Sequence, residues 1–354
     1  MSLDRAADAA ARFATDGPVR AVRPHSGGHI HASFIVETPT RRWLLQRLNT
    51  SVFPRPDLVM ANIAAVTAHL AARGERTLTF VPARDGAPLA FDDDGTPWRM
   101  FEFIEGAVTR ETARDEHDAA SAAHAFGRFL RALADYAGPP LHETIPGFHD
   151  TAARVAALDR AIAADAAGRA AGARAAIDAI ARHRDALTGA FARARALGDA
   201  RLRIAHLDAK IANVLFDARS GDALCVVDLD TVMPGLSLHD FGDLVRSMVS
   251  PAAEDEPDPA RVHADPARYA AILRGYVRGT GPVLGAAERA RLPEGAEAMV
   301  FEQAVRFLTD HLEGDRYYRT ARPGHNLERA RAQLALLDSL VEQRGAFRRM
   351  AEEP

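Results

Sequence analysis

His206-Leu207-Asp208-Ala209-Lys210-Ile211-Ala212-Asn213 contains the single lysine of a 354-residue chain that otherwise writes its cations as 43 arginines. Arginine is a planar fork and lysine a point charge on a flexible stem, so the two do not substitute for each other. A compact ammonium suits a site where developing negative charge must be met without bidentate geometry. The same stretch carries a carboxylate, Asp208, and an amide, Asn213. Further on, Asp228 ends the apolar run Leu224-Cys225-Val226-Val227.

These residue types in this order fit phosphoryl transfer. A hydroxyl acceptor must be oriented and must lose its proton, for which Asp208 offers a carboxylate. Mg²⁺ between the phosphates of ATP takes hard oxygen ligands, which Asn213 and Asp228 supply once a hairpin between them returns the chain. Lys210 can neutralise charge on the transferred group. Asp230 either assists the metal or caps the following turn, and His206 braces the loop rather than reacting. The H-x-D-x-x-x-x-N spacing is that of the protein-kinase catalytic loop, with Asp228 in the place of the later metal-binding aspartate.

Composition narrows the alternatives. A net charge of −4 with no basic run argues against a dedicated nucleic-acid partner. One cysteine, Cys225, excludes a disulfide framework and a cysteine-rich metal site, and its apolar neighbours make it an inert thiol. Met1 to Phe13 alternates charge with alanine and lacks a signal-peptide core. No uncharged apolar run is long enough to span a bilayer. A cytoplasmic protein without a membrane partner, monomeric or weakly dimeric, is expected.

The chain order reads as α+β. Phe34-Ile35-Val36 and Trp43-Leu44-Leu45 flank a turn at Pro39; a helix over 57–72 follows, then strands near 78–81 and 98–104, with Asp94-Gly95 as a hairpin turn. From residue 115 the pattern is mostly helical: 116–136, the alanine- and arginine-rich stretch 150–198, then 240–249, 264–277, 297–312 and 326–342. Short strands lie at 214–216 and 224–227, either side of Ser220-Gly221-Asp222. This order predicts a small β-rich lobe, 1–104, on a larger helical lobe, 105–354.

At this level the sequence resembles the aminoglycoside phosphotransferase and choline kinase family, small-molecule kinases with a bilobal protein-kinase-like fold. Within it, the segments Leu45-Gln46-Arg47-Leu48-Asn49-Thr50-Ser51-Val52-Phe53, Trp98-Arg99, Phe103-Ile104-Glu105-Gly106, Glu143-Thr144-Ile145-Pro146-Gly147-Phe148-His149, Val227 to Gly235, Arg306 to Asp310 and Gly314 to Tyr318 are similar to N-acetylhexosamine 1-kinases. The resemblance implies ATP as co-substrate with Ser26, Gly27 and Gly28 over the phosphates; Glu102 and Phe103 are further nucleotide-side candidates, and Arg47 is the choice for phosphate anchoring in place of the usual lysine. It also implies a sugar held by His31, Asp208, Arg306, Asp310 and Tyr317, with Phe148 and His149 as weaker candidates. The helical spacing of Arg306 and Asp310 places both on one face.

Two departures stand out. The strand expected to carry a phosphate-pairing lysine offers Gln46 and Arg47, and the helix over 57–72 has no glutamate, only Asp57 at its start. Asp228-Leu229-Asp230 lacks the glycine of the protein-kinase motif, and no Ala-Pro-Glu segment follows, which argues against a phosphorylation-switched protein kinase. No P-loop lysine motif occurs. The reading is an ATP- and Mg²⁺-dependent kinase acting on the anomeric hydroxyl of an N-acetylhexosamine. Another acceptor (aminoglycoside, choline, homoserine, a different sugar) or a catalytically silent nucleotide-binding protein are the alternatives.

Overall fold

Alternation along the early strands decides which face of the first sheet is covered. The computed structural model describes residues 3–25 and 30–353. It opens with α1 (Leu3–Ala10), β1 (Ala21–His25), β2 (Ala32–Glu37), β3 (Arg42–Arg47), α2 (Pro56–Ala72), β4 (Phe80–Val81), β5 (Ala90–Phe91), β6 (Pro97–Glu102) and β7 (Ala107–Val108). There follow α3 (Glu116–Ala132), α4 (Thr151–Ala164), α5 (Arg174–Leu187), α6 (Ala190–Ala196), β8 (Arg203–Ala205), β9 (Val214–Asp217), β10 (Ala223–Val226) and β11 (Met233–Gly235). The chain closes with α7 (Ser237–Met248), α8 (Pro266–Thr280), α9 (Ala286–Ala290), α10 (Leu292–Leu312), α11 (His325–Glu342) and α12 (Arg344–Glu352).

The chain divides into two compact units: Met1–Ala107 with Asp135–Pro146 and Val227–Met233, and Val108–Ala134 with Gly147–Val226 and Pro234–Pro354. The sequence order places a single boundary after residue 104; the first unit also takes in two later segments.

In the first unit the strands run in the order β1-β2-β3-β6-β4, antiparallel throughout, with β5 on β6. Phe34, Val36, Trp43, Leu45, Trp98 and Met100 pack on one face against Ala6, Ala9 and Ala10 of α1 and against Phe13. That helix lies where the sequence suggests no element; its buried side is alanine, small enough for close approach yet weak as an apolar signal. Arg5 fastens it to Asp92 in the β5–β6 turn at 2.8 Å, and Asp92 also accepts from the Trp98 indole. The opposite face of the sheet carries a polar row, Ser33, Gln46 and Arg99, in register across three strands.

α2 starts at Pro56, whose missing N–H costs nothing in a first turn. Its buried Asn62 donates to the carbonyls of His142 and Val232 and accepts from the His142 N–H. One amide side chain thereby ties both later segments into the first unit.

In the second unit α3 and α8 meet backbone to backbone. A Cβ at Gly275 would lie 2.3 Å from the Ala120 carbonyl oxygen, and one at Gly127 2.5 Å from that of Tyr276. α10 is buried over most of its length and packs against α4, α7 and α11. The stretch 150–198 resolves into three helices, α4 to α6. The β9–β10 hairpin pairs Val214 with Val226, the residues that follow Asn213 and precede Val227-Asp228. Among the described residues no helix is long and apolar enough to cross a membrane.

Candidate active site

Leu207 has φ +64°, a left-handed backbone that a leucine adopts only when its surroundings hold it there. The holding groups are visible. Asp240, fully buried in α7, accepts from the His206 N–H at 3.0 Å and the Leu207 N–H at 2.8 Å. His149 meets the Leu207 carbonyl at 3.0 Å. The His206 ring stands edge-on to Phe126 and Phe129 of α3. The loop is thus clamped on both sides before Asp208 emerges from it.

Asp208 Oδ2 receives Lys210 Nζ at 2.7 Å and Asn213 Nδ2 at 2.8 Å, and Asn213 Nδ2 also reaches the Asp208 carbonyl at 2.9 Å. Burial alone would raise the Asp208 carboxyl, but the charge and hydrogen bond of Lys210, followed by His206 and Asn213, hold it well below the usual carboxylate range. The carboxylate stays ionised, with Oδ1 left to accept. Because Asn213 spends its nitrogen on Asp208, its amide oxygen is the atom left for a cation. An amide oxygen is a donor type that Mg²⁺ takes; among the described residues no cluster of three or more His, Cys, Asp or Glu forms a metal site. Asp228 itself has a left-handed backbone, φ +61°, at the entry to the 3-10 turn Leu229–Thr231.

Asp230, expected either on the metal or capping the turn, makes no capping hydrogen bond and is held in a buried ion pair. It is 3% exposed and gives Oδ1 to Arg99 at 2.5 Å and Oδ2 to Arg99 at 3.1 Å and His31 at 2.6 Å. Its carbonyl accepts from Thr144 at 2.7 Å. Desolvation opposes its charge, and Arg99 and His31 more than offset this, holding the carboxyl well below its ordinary range. Both oxygens thus take part in a buried ion-pair network with Arg99 and His31. His31, expected at the sugar, is likewise engaged: Nε2 faces Asp230, Nδ1 accepts from the Asn49 N–H at 3.1 Å, and the ring lies on Phe53.

Arg99 is a buried charge beside Asp230 that the sequence does not single out. It also donates to Gln46 at 2.9 Å, so the Ser33–Gln46–Arg99 row ends in a buried ion pair with Asp230. The signal was available: an arginine amid the otherwise apolar run Pro97 to Phe101. Arg47, expected to anchor phosphates, is paired in register with Ala32 and Trp98, on the sheet face opposite that row, because side chains alternate along a strand. Glu102 is exposed beside Arg41, and Phe103 lies under the Arg42 guanidinium with its N–H bonded to the Arg42 carbonyl. Ser26, Gly27 and Gly28 lie outside the described residues.

On α10, Arg306 and Asp310 share a face but do not pair. Asp310 accepts from the N–H groups of Arg316, Tyr317 and Tyr318 and from Asn326, so it cages the loop after α10 instead of presenting a carboxylate to substrate. Arg306 is half-buried, its guanidinium 5.3, 6.0 and 5.7 Å from the rings of Phe148, Tyr317 and Tyr318. Tyr317 is 57% exposed. One turn back, Glu302 is bound by His149 and Thr151. The cluster therefore combines one cation with three aromatic rings.

The family model described as "Phosphotransferase enzyme family" matches residues 21–276. The chain is similar in fold to a microcompartment-associated aminopropanol kinase, at 18% identity and TM-score 0.60 over 97% of this chain and 99% of that one. An aminoglycoside phosphotransferase from Alicyclobacillus acidocaldarius gives 15% identity and TM-score 0.64, covering 96% of both chains. A choline/ethanolamine kinase family protein from Mesorhizobium loti gives 17% and 0.58, covering 98% of both. With a protein-kinase-like α+β architecture and a family match over most of its length, the chain belongs to the phosphotransferase enzyme family.

Proposed function

We propose that the protein transfers the γ-phosphoryl group of ATP to the anomeric hydroxyl of an N-acetylhexosamine. The single observation that carries the chemistry is the Asp208 carboxylate, ionised and held by Lys210 and Asn213 with one oxygen left to accept. The sugar hydroxyl donates to that oxygen. As its oxygen bonds to the γ-phosphorus, the bond to the β-phosphate oxygen breaks, ADP leaves, and the hydroxyl proton passes to Asp208. Lys210 offsets charge on the phosphoryl oxygens. Asn213 and Asp228 would hold Mg²⁺, which when bound neutralises the phosphates.

The acceptor side favours a neutral sugar over a cationic amine. A choline or aminoglycoside site recruits carboxylates or an open aromatic cage for the cation. Here Asp310 is committed to the loop and Glu302 to His149 and Thr151, while the aromatic rings already surround a guanidinium. Arg306 donors and ring faces suit hydroxyl and amide oxygens and the apolar face of a sugar. The choice of an N-acetylhexosamine rests on the sequence resemblance. The test offers free hexosamines, other sugars, choline and aminoglycosides with ATP, scoring ADP release and locating the phosphate by ³¹P–¹H NMR. A sugar 1-phosphate is expected; turnover confined to amines, or a phosphate on another hydroxyl, would refute the assignment.

A further inference from the structure

His149 takes no part in the scheme above, yet its surroundings are unusual. The side chain is 4% exposed, and both ring nitrogens face hydrogen-bond acceptors: Nδ1 is 2.9 Å from Glu302 Oε1, Nε2 is 3.0 Å from the Leu207 carbonyl. A neutral imidazole has one N–H and can serve only one of them; the imidazolium serves both. Glu302 Oε2 accepts from Thr151 at 2.6 Å, and the His149 charge outweighs burial in favouring the ionised carboxylate.

We propose that His149 is a buried imidazolium that acts as a positioning residue, clamping α10 to the Leu207 carbonyl and so fixing the direction of the Asp208 carboxylate. The inference rests on the role assigned above to Asp208. Leu207 needs such a clamp: were its left-handed backbone to relax, the peptide leading into Asp208 would rotate. Its N–H is already held by Asp240, and its side chain fills the space a Cβ at Gly235 would take, 2.5 Å from Leu207 Cδ2. The carbonyl is the remaining free end, and His149 takes it.

The charges facing His149 are Glu302 and Arg306 from α10 and Asp243 and His239 from α7. Burial works against its proton, but Glu302 and then Asp243 outweigh that and raise its pKa. Glu302 is correspondingly pulled down to about 2, by the His149 charge against the effect of burial. His239, whose tilted ring is 4.8 Å away, is pushed down to about 3 by burial and by His149, so a proton on one ring disfavours one on the other. Arg306 lies one turn from Glu302, which links the acceptor-side cluster to the same clamp.

The decisive measurement is the ¹⁵N spectrum of histidine-labelled full-length protein between pH 6 and 9. One imidazole with both nitrogens protonated through pH 8 is expected, with contacts to residues 207 and 302; a single bare nitrogen on His149 at pH 8 overturns the inference. In His149→Gln the Leu207 and Asp208 amide resonances should move, and kcat should fall roughly ten- to hundred-fold at a KM for ATP within about twofold, the signature of a misplaced group. Unmoved amides or an unchanged kcat in folded protein would equally sink it. Should His149→Gln not fold, Glu302→Gln removes the counter-charge and should turn His149 neutral, with the same loss. If no acceptor is turned over by the wild type, the kinase assignment fails while the spectra still decide the clamp.

Discussion

Asp208 and Lys210 are the residues whose replacement separates chemistry from structure. Asp208→Asn keeps the hydrogen-bond geometry but removes the proton acceptor, and kcat should fall roughly 10²- to 10⁴-fold. Nucleotide affinity, read by calorimetry, should change little. Lys210→Arg keeps the charge and spoils its compactness; a loss on the order of 100-fold in kcat is expected, and an unaltered rate would make the single lysine incidental. Arg99 belongs to a different class. Arg99→Leu strips the buried Asp230 carboxylate of its guanidinium and leaves it only His31 among its side-chain partners, which should cost about 3–5 kcal/mol in chemical denaturation. Asp208, Lys210 and Asn213 were legible in the sequence because their order and spacing are local. Arg99, His31 and Asp230 were not, because their meaning arises from strands and turns distant in the chain. Asp310 misled for a related reason: helical spacing predicts a shared face, while its actual partners are the backbone amides of a loop that spacing cannot foresee.

At the scale of elements, the alternating strands and the helix over 57–72 were read closely, since period and turn residues signal them directly. α1 was invisible because its contact surface is alanine. The meeting of α3 with α8 was equally hidden: Gly275 and Gly279 stand one turn apart in α8, and only the structure shows that Ala120 and His124 carbonyls occupy the room a side chain would need. Gly275→Ala should therefore destabilise the protein by about 1–3 kcal/mol despite its better helix propensity. A stable or stabilised variant in thermal melts would mean the helices can part at no cost.

For the whole molecule, several depressed carboxyls, Asp208, Asp230 and Glu302 among them, shape the acid limit. Asp208 and Asp230 have folded pKa values below their unfolded ones, so the stability they contribute is complete above the unfolded value, about 4, and drains away as pH falls toward the folded values. Melting temperatures should be lost below about pH 4, and the Asp230→Asn variant should show a shallower loss there. His149 acts in the opposite direction: its raised pKa means a contribution present below about 6.5 and lost as pH climbs through the folded value.

The interleaved order of the two units has a consequence for synthesis. A nascent chain emerging from the ribosome cannot complete the first unit when residue 107 appears, because Arg99 still lacks its carboxylate and Asn62 its carbonyls until Val227–Met233 has been made. The opening strands must wait, with a guanidinium facing water, for more than a hundred further residues. An isolated fragment ending at 107 is thus the form in which this polypeptide would be captured by chaperones or lost to aggregation.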